Sequence, residues 1–146
     1  MIKEKKYQDV EIKMVAEWPE REIINLYKVG GWWKKSDSQT NIKKLMQGSY
    51  AFFVAINPCD GKAVGMGRLL SDGVSDAYIQ DLVVLPNYRG YGIGKRLAKK
   101  LIDFCLSRKI SWIGLISEPG QSRFYTHIGF NPMKDYVPMR YCQKKE

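Results

Sequence analysis

Apolar and polar positions alternate from the start of the chain: Val10, Ile12 and Met14 stand between charged or polar neighbours, the period-two pattern of a half-buried strand. Pro19 then opens a stretch in which Ile23, Ile24, Leu26 and Tyr27 recur at helical spacing up to Gly30 and Gly31, which predicts a helix. A second short helix is expected over residues 39–46. Residues 50–56 read as a strand, 57–61 (NPCDG) as a hairpin turn and 63–70 as the partner strand. After a turn at Ser71, Asp72 and Gly73, residues 77–85 (AYIQDLVVL) are rich in strand formers, stop at Pro86 and become apolar on both faces, which predicts an interior strand. Residues 93–107 form the clearest helix: Ile93, Leu97, Leu101 and Cys105 recur every four residues, while Lys95, Arg96, Lys99, Lys100 and Asp103 share the opposite side. A short strand at 112–116, a helix at 121–128 closed by Gly129, and short strands over 130–141 complete the order. The strand-helix-strand unit at 77–116 should be a parallel crossover, with a ligand crevice beyond the carboxyl end of its first strand.

No repeat, low-complexity tract or linker interrupts this order, so one domain spanning 1–146 is expected, with solvated tails at 1–6 and 143–146. The longest purely apolar run, 51–56, is too short to cross a bilayer, and the first six residues lack a signal-peptide centre. A cytoplasmic protein without a membrane partner is expected. Cys59, Cys105 and Cys142 are odd in number and widely spaced, which fits a reducing compartment, and with His127 the only histidine no metal site is expected.

The net charge of +9 favours anionic partners, and it is local: residues 89–109 hold seven cations against Asp103 alone. That stretch begins with Arg89, Gly90, Tyr91, Gly92, Ile93 and Gly94, at the end of a strand and the start of the basic helix. Glycines opening a helix let backbone N–H groups converge on an anion with no Cβ in the way, and the helix dipole adds to the attraction. The bland alternative is a glycine turn beside an ordinary basic helix face. Spacing excludes a dinucleotide fingerprint and a P-loop, since neither GxGxxG nor GK[ST] is present.

These residues resemble the GNAT superfamily of acetyl-coenzyme-A-dependent N-acyltransferases. Arg89-x-x-Gly92-x-Gly94 is similar to its pyrophosphate loop. Residues Ile79 to Val84 are similar to the strand before that loop, and Phe124-Tyr125-x-x-x-Gly129-Phe130 to its late helix-to-strand motif. The resemblance spans most of the chain. It implies an α/β (α+β) fold with a mixed, mostly antiparallel central sheet, a splayed parallel strand pair and flanking helices. It also implies a bulged interior strand, acetyl-coenzyme A as co-substrate with its pyrophosphate on Arg89 to Gly94, and its pantetheine arm along Leu82, Val83 and Val84. Direct transfer of the acetyl group to an amine follows, a small-molecule amine ranking ahead of a protein amine.

Such a transfer needs an oxyanion donor, a proton acceptor for the ammonium and a proton donor for the thiolate. A backbone N–H freed by the bulge near Leu82 or Val83 answers the first need. Tyr125 is similar to the family's general acid, the alternative being an amphipathic core tyrosine. Gln80 stands where polyamine-type relatives carry a glutamate and cannot accept a proton, which leaves Asp81 as base, ammonium anchor or buried salt-bridged carboxylate. Glu118 stands where the family usually has asparagine. On the acceptor side Trp32 and Trp33 either wall a substrate site together with Gln80, or cap the core and a homodimer contact. Two rivals stay open: a basic nucleic-acid-binding module, and a coenzyme-binding sensor without catalysis.

Overall fold

β1 (Glu11–Met14) starts the regular structure of the chain, a computed structural model describing residues 6–144. Two helices follow, α1 (Glu20–Val29) and α2 (Thr40–Gly48), then the strands β2 (Ala51–Ile56), β3 (Ala63–Ser71) and β4 (Asp76–Val84). α3 (Ile93–Ser107), β5 (Trp112–Gly114) and α4 (Ser122–His127) complete the order. The chain forms two compact units, Met1–Leu115 and Ile116–Glu146, and the strands all lie in the first. Of the tails expected to be solvated, 1–5, 145 and 146 lie outside the described residues, while Lys6 and residues 143 and 144 are exposed.

The five strands form one sheet in chain order, antiparallel from β1 to β4 and parallel between β4 and β5. β2 is apolar throughout because both its faces are covered. Phe52 and Val54 join Ile23, Leu26, Ile42 and Met46 of α1 and α2 in one core cluster, while the ring of Phe53 meets Phe104 of α3 on the other side. α3 has the bounds its periodicity predicts, with Ile93, Leu97, Leu101 and Cys105 buried. α1 begins after Pro19, and the carboxylate of Glu22 in its first turn accepts from the Trp18 indole (3.1 Å) and the Ala63 N–H (2.7 Å), tying the helix entrance to β3.

Two irregularities of β4 shape everything that follows. Its pairing with β5 runs from Asp76↔Trp112 to Tyr78↔Gly114, and β4 then continues to Val84 beyond the end of β5. On its other edge the register with β3 shifts: Met66 faces Val83 and Arg68 faces Gln80, so β4 carries one residue more than β3 between the two pairs. That extra residue makes a β-bulge, with Asp81 in the left-handed region at φ 58°. Gly67 lies opposite, where a Cβ would come within 3.0 Å of methyl groups of both Leu82 and Leu101. The bulged strand is therefore packed tightly from the α3 side.

The short strands expected over 130–141 do not form. In the middle of that segment the Tyr136 N–H bonds to the Met133 carbonyl (3.1 Å) and Asp135 sits at φ 65°, which makes a turn, and Pro132 and Pro138 lack the N–H a ladder requires.

Candidate active site

The carboxyl end of β4 runs through a 3₁₀ turn, Pro86–Tyr88, into the glycine segment that the sequence singles out. The Arg89 guanidinium does not project freely, because its Nε donates to the Val84 carbonyl (2.9 Å) and folds the side chain back along the strand end. Gly90 (φ 83°) and Gly92 (φ 82°) both take left-handed conformations, and Gly92 caps α3 with no side chain bonded to the helix start. Nothing lies within 4 Å of a Cβ built at either glycine. Backbone N–H groups at the helix start thus face open space with the positive end of the dipole behind them, a fit for an anionic group.

The basic face of α3 is narrower than expected. Lys95, Lys99 and Lys100 are exposed, but Arg96 is half-buried and donates to the carbonyls of Tyr7 (3.3 Å) and Val10. It fastens the segment before β1 to the helix and is not part of the solvated charge. The Tyr7 ring in turn packs against Tyr88 (4.8 Å between centroids) and edge-on to Tyr91 (4.9 Å), both flanking Arg89 and Gly90.

The bulge opens onto a second feature, a cleft of about 250 Å³ between α1, α2 and the strands, lined by Trp32, Trp33, Asp37, Asn41, Ile42 and Leu45 above and by Tyr27, Arg68 and Asp81 at its floor. Asp81 Oδ2 accepts two hydrogen bonds, from the Tyr27 hydroxyl (2.7 Å) and from Arg68 Nε (2.6 Å). The Asp81 and Arg68 side chains are 17% and 14% exposed, so the ion pair is largely desolvated and keeps its geometry. Among the described residues no hydrogen bond engages Oδ1, which is not a buried atom left without a partner, and Asp81 is part of the cleft lining. Burial first, and then the charge of Asp81, push the Tyr27 phenol well above the ordinary tyrosine range. At neutral pH Tyr27 is therefore a donor that orients the carboxylate and cannot act as a base.

Asp81, Trp32 and Trp33 thus come together, and Leu82, Val83 and Val84 continue directly from Asp81 toward the glycine segment. Gln80 does not join them; it is exposed and does not line the cleft. Tyr125 lies in the second unit on α4, its ring edge-on to Phe124 (5.0 Å) and Phe130 (5.9 Å). Burial, and to a lesser degree the charge of Glu118, raise its pKa. His127 on the same helix is exposed. Sequence reading missed Tyr27 and Arg68. Tyr27 hides in a helix core stripe, but a lone arginine in the otherwise apolar β3 is a signal, since a charge in a buried strand needs a partner.

Among the described residues no cluster of histidine, cysteine and carboxylate side chains could hold a metal ion, and no helix is long and apolar enough to cross a membrane. Residues 12–130 match the acetyltransferase (GNAT) family. The chain is 31% identical over 113 residues to the uncharacterized N-acetyltransferase ycf52 of Pyropia yezoensis, covering 73% of this chain and 65% of that protein. It is 41% identical over 69 residues to the chloroplastic GCN5-related N-acetyltransferase 2 of Arabidopsis thaliana, covering 47% and 27%. The chain therefore spans less than two thirds of the length of either relative. A GNAT family acetyltransferase from Streptococcus pneumoniae superposes with a TM-score of 0.76 at 26% identity, covering 93% of this chain and 99% of that one. Its likeness extends to the mixed five-stranded sheet with flanking helices.

Proposed function

Because the chain belongs to the acetyltransferase (GNAT) family, we propose that it is an N-acetyltransferase that moves the acetyl group of acetyl-coenzyme A directly to a primary amine of a small molecule. In this reading the whole chain works as one N-acetyltransferase domain, in the cytoplasm. The observation that carries it is the bulged β4, which presents the cleft carboxylate Asp81 and then leads through Leu82, Val83 and Val84 to an open anion-binding helix start.

The residues present fit the coenzyme. Arg89 to Gly94 would hold the pyrophosphate through backbone N–H groups, with Lys95 adding charge, and the backbone of Leu82 to Val84 would hold the pantetheine arm. Bound there, acetyl-coenzyme A supplies an acetyl thioester. Overall the C–S bond breaks as the C–N bond forms; the acceptor ammonium gives up two protons, one ending on the thiol and one in solvent. Asp81 Oδ1 would hold the ammonium and take its first proton, directly or through water, while Oδ2 stays fixed by Tyr27 and Arg68. A backbone N–H beside the bulge at Leu82 or Val83 would face the carbonyl oxygen, and Tyr125 would protonate the departing sulfur.

Initial rates of thiol release, measured while both acetyl-coenzyme A and amine are varied, test the reading. Direct transfer requires intersecting double-reciprocal lines. Parallel lines, the mark of a covalent acetyl-enzyme, would overturn it.

A further inference from the structure

Residues 89–94 include three glycines, and a Cβ built at Gly90 or Gly92 would meet nothing within 4 Å. Glycine loses more backbone freedom on ordering than any other residue, so a loop of this composition binds an anion tightly only where its shape is already held by contacts elsewhere.

A ring from the segment before β1 supplies such contacts. Tyr7 packs against Tyr88 with centroids 4.8 Å apart and edge-on against Tyr91 at 4.9 Å, so it bridges the residues on either side of Arg89 and Gly90. Tyr88 is itself fixed, its hydroxyl accepting from Asn57 Nδ2 at 3.0 Å. Tyr7 is anchored through its backbone: its carbonyl accepts from Arg96 Nη1 (3.3 Å) and from the Val10 N–H (3.0 Å), and Arg96 Nη2 reaches the Val10 carbonyl. The Arg96 N–H bonds in turn to the Gly92 carbonyl at 3.0 Å. These contacts close a circuit from Gly92 through Arg96 and Tyr7 back to Tyr91. Tyr7 keeps its place in that circuit at φ 65°, a conformation that is strained for a bulky side chain and persists only where the surroundings over-determine it. Among the described residues no hydrogen bond engages its hydroxyl, so it acts through the ring alone.

We infer that Tyr7 is a positioning residue for the coenzyme: wedged between Tyr88 and Tyr91 and clasped by Arg96, it holds residues 89–94 in an anion-ready shape before the ligand arrives. The inference rests on the acetyl-coenzyme A reading just stated, and Tyr7 lines no part of the acceptor cleft. Without the ring the free loop visits other shapes, and the coenzyme meets a competent site only part of the time. One ring pair shifts such a population by about two- to tenfold, so losing both should weaken binding by about tenfold or more.

The test uses the full chain carrying Tyr7→Gly, which removes the ring while glycine accepts φ 65° without strain, so the turn and its bonds to Arg96 persist. Tyr7→Leu, which keeps apolar bulk, is the second variant should the glycine protein fail to fold. Coenzyme A is the probe, its Kd read by titration calorimetry well below the Tm of each protein, and amide hydrogen exchange of residues 88–94 is followed without ligand. Tyr7→Gly should raise Kd about tenfold or more, Tyr7→Leu should raise it several-fold, and both should speed exchange in the free loop; Tyr7→Phe should restore Kd and protection together. A wild-type Kd or unchanged exchange in whichever variant folds, or a Tyr7→Phe protein as weak as that variant, overturns the inference and leaves the acetyltransferase reading standing. No coenzyme binding by the wild type overturns that reading and this inference with it.

Discussion

Tyr27→Phe removes one hydroxyl from the cleft floor and nothing else. The ring is 5% exposed and packs with Ile23, Leu26 and Met66, so phenylalanine fills the same space. What is lost is the 2.7 Å bond to Asp81 Oδ2. A hydrogen bond to a charged group contributes about 1.5–3 kcal/mol, and because Arg68 still holds the same oxygen the loss belongs at the lower end, about 1.5 kcal/mol. For a chain of this size that is a fall in Tm of about 3–6 °C. The pH dependence is more diagnostic than the magnitude. The folded-state pKa of Tyr27 is raised above its ordinary 10.0, so the folded protein keeps a proton that the unfolded chain releases. Its contribution is fully present below about pH 10 and is lost as pH rises further, at about 1.4 kcal/mol per pH unit. Urea unfolding of both proteins at pH 8 and pH 11 should show a gap of about 1.5 kcal/mol that has nearly closed at the higher pH. Equal stability at pH 8, or a gap unchanged at pH 11, would show that Tyr27 is not a buried donor to a carboxylate.

Gly92→Glu should abolish the rise in Tm that acetyl-coenzyme A gives the wild type, because a side chain at φ 82° is strained and this one places a negative charge where the anion would sit; an undiminished rise in a folded variant would remove the loop assignment. Tyr125→Phe should leave coenzyme affinity nearly unchanged while kcat falls by about a hundredfold, the scale of a lost general acid, and since its pKa is raised the wild-type kcat should show no loss of this acid below pH 10. Wild-type turnover in that variant, with chemistry limiting, would return Tyr125 to packing. Arg96→Ala should lower stability by about 1–3 kcal/mol through its two lost carbonyl bonds, whereas Lys99→Ala on the exposed face should change it by about 0.5 kcal/mol or less, as urea unfolding would show.

The parts of this structure that were legible in the sequence are those decided locally. α3 runs over the predicted span because a single amphipathic stripe, a glycine at its start and a basic outer face all agree. The β2–β3 hairpin follows from two apolar runs on either side of the NPCDG turn. Long-range partners were not legible. Asp81 could be named as the carboxylate nearest the chemistry, but its partners Arg68 and Tyr27 lie 13 and 54 residues away, and only the bulge, which rotates Asp81 toward α1, brings the three together. Arg96 shows the converse error. By spacing it belongs with Lys95 and Lys99, yet its fork reaches two backbone carbonyls that no periodicity reveals. The segment after α4 has the β-forming residues of a strand, but a turn at Asp135 and two prolines break it into pieces too short to pair.

The central claim is that this chain carries an acetyl group from coenzyme A to an amine nitrogen. Acetyl-coenzyme A labelled with carbon-13 in the acetyl group, incubated with the protein and a panel of primary amines, tests it by mass spectrometry of the amines and titration of free thiol. The account predicts labelled amide and thiol in equal amounts with the wild type, and neither above background with Gly92→Glu. Thiol released without labelled amide, or label retained on the protein in place of the amine, would contradict it.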